Sequence, residues 1–167
     1  MNLQEIPQYP LSLALLDAIP VIFFFVATLI IFRRLKSSLF LMGAVISFVA
    51  GTMQVIWKIL VAVSEKNVYF LHSQFKYTMT IGFILMIVGI IIKCKSIDWK
   101  TFFSKLVHLP SVIFLALIGL CFVAMLILAF TLGMKDVKSQ WIEEGVNIIF
   151  QGSVLALVLC IGKSPRS

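Results

Sequence analysis

The sequence predicts an all-α polytopic membrane protein: a bundle of five transmembrane helices plus a short amphipathic helix lying in the cytoplasmic interface. Three observations carry this. Of 167 residues, 61% are hydrophobic and only 13% charged, against about half and about a quarter in an ordinary soluble domain. Mean hydropathy is +1.09, which is more apolar side chain than one globular interior of this length can hold. The apolar residues also gather in five runs, Leu11–Phe32, Leu39–Val63, Phe75–Ile92, Ser111–Leu132 and Gly145–Ile161, separated by polar, charged or proline-containing breaks.

The first run follows Met1–Pro10, which holds no Lys or Arg. A secretory n-region is positively charged, so the run is read as a retained helix. About 20 residues at 1.5 Å rise cross the ~30 Å hydrocarbon core. The first, second and fourth runs meet that length. The third and fifth are short, and are expected to stand upright or thin the bilayer locally. None of the runs has the alternation of barrel strands, and in lipid that leaves helices, whose backbone groups are satisfied internally. There is no repeat, low-complexity tract or linker, and residues 1–167 read as one helical domain.

A sixth element is expected at about residues 96–109. Trp99, Phe102, Phe103, Leu106 and Val107 recur at helical spacing. Ser96 is a candidate N-cap with Asp98 in the first turn, and Pro110 ends the element. Trp99, Phe102 and Phe103 then act as interfacial anchors among headgroups, with Lys100 and Lys105 near anionic lipid. A mere spacer and a docking platform for another protein are both compatible with that pattern.

Orientation follows from the basic residues. Arg33, Arg34 and Lys36, then Lys93, Lys95, Lys100 and Lys105, and finally Lys163 and Arg166 share one side. The other side has Lys66, Lys76, Lys135 and Lys138, and also Glu5, Glu65, Asp136, Glu143 and Glu144. The positive-inside rule therefore places the N-terminus outside and the C-terminus in the cytoplasm of a multi-pass cell-membrane protein. Tyr9, Tyr69, Tyr77 and Trp141 form the expected outer aromatic belt, and Trp99 marks the inner one.

The net charge of +7 does not imply nucleic acid, because the basic residues sit in short loops rather than in a stripe with interleaved aromatics. Cys94, Cys121 and Cys160 form no CxxC pair and are read as free thiols. His72, taken as an outer-loop residue, and His108, at the inner end, lie a bilayer apart and cannot share a metal. No cofactor is expected. HExxH, GxSxG, P-loop and dinucleotide signatures are absent, which disfavours the familiar enzymes.

Ionisable groups inside spans cost about 2.5–3.5 kcal/mol at the bilayer centre on insertion scales, so they are the first candidates for function. There are two, Asp17 and Lys58, each about 7–9 Å in from the outer end of its helix. Gln54 and Lys58 share a face at i, i+4, as do Asn147 and Gln151. Gly43, Ser47 and Gly51 form a small-residue row that permits close helix packing. Pro20, three residues after Asp17, removes a backbone donor and is expected to kink the first helix.

The leading reading is an outward-facing pocket lined by Asp17, Gln54, Lys58, Asn147 and Gln151, opening toward His72–Tyr77 and binding or helping to transport a small polar solute or lipid headgroup. In the second, Asp17 and Lys58 only lock helices in an accessory or structural subunit. A proton or ion relay, and an enzyme acting on lipid with Asp17 as base, stay open. Five helices form a thin wall around any pathway, so transport would call for a homo-oligomer or another membrane subunit.

Overall fold

In the computed structural model, residues 10–64, 68–131 and 137–162 are described. Tyr9, the charged residues Glu5, Glu65, Lys66, Lys135 and Asp136, and the tail Lys163–Ser167 lie outside them, as do the side chains of Tyr69 and Ser96. Among the described residues every regular element is helical: α1 Leu11–Leu16, α2 Ala18–Leu35, α3 Ser38–Ser64, α4 Tyr69–Lys93, α5 Trp99–Val107, α6 Ser111–Thr131 and α7 Val137–Gly162. Five helices are long and apolar enough to cross a membrane, with α1 and α2 counting as one.

The helices outrun the hydropathy. α4 has 25 residues and α7 has 26, or ~38 Å each at the α-helical rise. The expected shortness of the third and fifth spans is thus corrected. α4 starts six residues before Phe75 and α7 eight before Gly145. A helix is held by its backbone ladder, so it continues through a polar first turn where apolar side chains run out. The end formed by Leu11, Ser64, Tyr69, Thr131 and Val137 is the one the charge count places outside.

α3 packs along most of α4, α7 packs on α6 and α2, α2 also meets α3, and α1 leans on α3 and α7. The small-residue row explains the closest of these pairings. A Cβ built on Gly43 would stand 2.5 Å from the Gly82 carbonyl and 2.8 Å from the Met86 amide. One on Gly89 would stand 2.6 Å from the Phe40 amide. The third member of the row, Gly51, faces α2 instead, where an added Cβ would meet Val21 at 3.2 Å. Phe40, fully buried, is the hub of the half nearer the α2–α3 turn, with Ala44 and Met86 and with Phe24, Ile31 and Phe32 from α2.

Two threonine hydroxyls inside the spans are absorbed locally, whereas the buried Ser47 hydroxyl of α3 has no hydrogen-bond partner. Thr28 donates to the Phe25 carbonyl at 2.8 Å and Thr52 to Phe48 at 2.9 Å, the back-bonding that hides a hydroxyl in a helix. The two-residue α2–α3 turn places Lys36 in the left-handed region, φ 47°, where a non-glycine residue is tolerated singly at helix C-termini. Ser37 then accepts from the Phe40 amide at 3.4 Å at the head of α3.

At the end of the bundle that holds the α2–α3 turn, cations meet the last carbonyls of α7. Arg34 donates to Gly162 at 2.5 Å and Lys105 to Ile161 at 3.3 Å, which satisfies orphan acceptors and complements the negative end of the helix. α5 follows a single 3-10 turn, Cys94–Ser96, and is shorter than the expected 96–109. The cap belongs to Asp98 rather than Ser96: its carboxylate accepts from the Thr101 amide at 3.3 Å and the Thr101 hydroxyl at 2.6 Å. The Thr101 hydroxyl, then the amide, hold the Asp98 carboxyl below its ordinary range. Trp99 is fixed by an indole hydrogen bond to the Cys94 carbonyl at 3.1 Å and clusters with Phe102 and Phe103, whose ring centroids lie 5.8 Å away.

Candidate functional site

The first span changes its hydrogen bonding at its carboxylate without unwinding: Asp17 keeps helical dihedrals, φ −61° and ψ −19°, and its amide donates to the Leu13 carbonyl at 3.2 Å. α1 ends at Leu16, Asp17 forms a turn, and α2 resumes at Ala18. Pro20 supplies the reason: it has no N–H to return to the Leu16 carbonyl, and its ring crowds that carbonyl.

Asp17 meets Lys58 from α3, with Oδ2 2.9 Å from Nζ. The same ammonium donates to Glu144 Oε1 of α7 at 2.5 Å. One cation thus bridges two carboxylates from three helices. All three groups are shielded, with side-chain exposures of 13% for Lys58, 11% for Asp17 and 9% for Glu144. Asp17, Lys58 and Glu144 lie about 9–10 Å in from the first or last residue of their helices, counted along each axis.

Glu144 corrects the sequence reading, which left it in the outer loop among solvated acids. α7 begins early enough to carry it inside. Its spacing held a usable signal: Glu144, Asn147 and Gln151 fall at i, i+3 and i+7, one face of a helix. Asn147 and Gln151 are half-buried farther along that face. Gln54 is turned toward α4, where its Nε2 lies 3.3 Å from His72 Nδ1.

His72 is the second correction. It belongs to the first turns of α4, not to a loop, and its ring stacks on the buried Trp57 at a centroid distance of 4.4 Å. Gln54, Trp57 and His72 thus form a second polar–aromatic group at the α3–α4 contact, about one turn or less along α3 from Lys58. Two acceptors here are buried without a hydrogen-bond partner, Glu144 Oε2 and Gln54 Oε1.

No family model, curated protein or solved structure matches the chain.

Chemically, the centre offers one ammonium, two carboxylates and an amide, shielded from solvent and joined by three helices. Among the described residues no cluster of His, Cys, Asp and Glu has the makeup of a metal site. The arrangement can hold a hydrogen-bonding solute by several contacts at once, and it can tie helices together.

Proposed function

We propose that this chain is a membrane recognition protein whose Asp17–Lys58–Glu144 centre holds a small polar solute or lipid headgroup in the outer half of the bilayer, as a binding protein or as a subunit of a transporter. One observation carries the reading: three ionisable groups converge from three helices, while an acceptor in the centre stays without a donor. Buried polar groups ordinarily pair, and a lone one calls for a functional or structural reason. The test compares wild-type protein with the neutral triple variant Asp17→Asn/Lys58→Met/Glu144→Gln, both in detergent. Thermal unfolding is followed with glycine, glycerol, ethylammonium and methyl phosphate as probes. At least one probe is expected to raise the wild-type midpoint and leave the triple variant unmoved. Equal responses, or none, reject the reading.

A helix-locking role has its own support, since the ammonium already contacts both carboxylates and ties α1, α3 and α7. A pure lock predicts no probe response in either protein and full stability in the triple variant.

The membrane arrangement is part of this proposal. The N-terminus lies outside, and α5 lies on the cytoplasmic surface with Trp99, Phe103 and Val107, which are 40%, 54% and 74% exposed, turned into the headgroup region. Arg34, Lys105 and the end of α7 meet at one end of the molecule, as this requires. Cys94 and Cys160 then sit at the cytoplasmic ends of α4 and α7. An impermeant maleimide added to intact cells is expected to leave both unmodified until the membrane is opened. Labelling of either from outside reverses the topology.

A further inference from the structure

We infer that the ligand of this centre presents a cationic amine, such as a free alkylammonium or the ethanolamine group of a lipid; this rests on the function proposed above and specifies its ligand class. In their ordinary charge states, two carboxylates face one ammonium, so the centre carries one surplus negative charge. Lys58 spends N–H donors on Asp17 Oδ2 and Glu144 Oε1. Two acceptors are buried and without a partner: Glu144 Oε2 in the centre, on a side chain that is itself 9% exposed, and Gln54 Oε1 on the side toward α4. Pro20 adds to them by withholding the amide hydrogen that a continuous helix would return to the Leu16 carbonyl.

A site rich in acceptors and negative by one charge selects a ligand rich in donors and positive by one. A protonated amine placed at Glu144 Oε2 would complete an alternating arrangement, carboxylate, ammonium, carboxylate, ammonium, in which each charge has an opposite neighbour. A phosphate or carboxylate would instead face the unpaired oxygen directly, and like charges at such range in a shielded site repel strongly. Asn147 and Gln151, on the same face of α7 as Glu144, are positioned to serve a hydroxyl or ester portion deeper along the helix.

The experiment uses the full chain in nanodiscs of phosphatidylglycerol, with ethylammonium chloride, methyl phosphate, glycerol and sodium chloride titrated separately and thermal unfolding as readout. Ethylammonium is expected to raise the midpoint, with sodium at equal concentration and methyl phosphate giving no comparable shift. Glu144→Gln, which keeps the shape and removes the surplus charge, is expected to weaken ethylammonium about tenfold or more, as loss of a hydrogen bond to a charged group does. Nanodiscs containing phosphatidylethanolamine separate the two sources: a raised midpoint there, with weakened competition by ethylammonium, identifies a headgroup, and an unchanged one identifies a free amine. Stabilisation by methyl phosphate or glycerol that exceeds that by ethylammonium overturns the amine while leaving a polar-ligand centre in place. A sodium response equal to that of ethylammonium also overturns it. Silence of every probe removes both readings. Should Glu144→Gln fail to fold, the wild-type series decides alone.

Discussion

Lys58→Met is expected to destabilise the protein by about 3–5 kcal/mol, the cost of removing one partner from a shielded ionic contact and leaving the other charged. The effect belongs at the upper end because two carboxylates, not one, are orphaned. Asp17 and Glu144 meet at the Lys58 ammonium from different helices, Oδ2 at 2.9 Å and Oε1 at 2.5 Å. Without the cation they face one another across the junction of α1 and α7. The midpoint of thermal unfolding in detergent should fall by about 10–20 °C, taking about 2–4 °C per kcal/mol for a chain of this size. The neutral triple variant Asp17→Asn/Lys58→Met/Glu144→Gln should recover most of the loss, since replacing a whole buried ionic group is often neutral or better. If Lys58→Met melts with the wild type, the ammonium is held in place by nothing that matters to the fold.

The second large effect lies in the α3–α4 seam. Gly43→Val is expected to cost more than the about 1–3 kcal/mol of an ordinary overpacked core site. The atoms that a Cβ would strike, the Gly82 carbonyl at 2.5 Å and the Met86 amide at 2.8 Å, are backbone. A side chain can change rotamer to make room, whereas two backbones can only move apart. Separating α3 from α4 would also uncover Phe40 and Met86 and draw His72 away from Trp57. Gly119→Val is the matched control. It adds the same atoms on α6, where nothing lies within 4 Å of the new Cβ, and its stability should change by no more than the about 0.5 kcal/mol of a neutral substitution. Equal losses in the two variants would mean that helix propensity, not close approach, explains the result.

Much of the fold is legible one residue at a time. Lipid requires each span to satisfy its own backbone, so a run of apolar residues commits to a helix without reference to its neighbours. The five long apolar helices and the short helix before Pro110 follow from such local rules. The limits of the helices do not. Apolar patterning marks where a span meets lipid, but the hydrogen-bond ladder of α4 and α7 runs on through polar turns. Those extra turns carry His72 and Glu144, the two residues the sequence reading placed in loops.

The candidate site divides the same way. Sequence alone determined that Asp17 and Lys58 stand inside spans at matching depth, since depth is fixed by residue count and rise. It determined that Gly43 and Ser47 lie on one side of α3, since the helical repeat fixes a face. Only the tertiary structure decided which helix each face meets: that Gly43 packs on α4 and Gly51 on α2, that Gln54 turns to His72, and that Glu144 joins Asp17 on one ammonium. Depth and face are properties of a single helix, set by its own backbone. Partnership depends on how helices far apart in sequence are arranged around one another, and that is settled by the packing of the whole bundle.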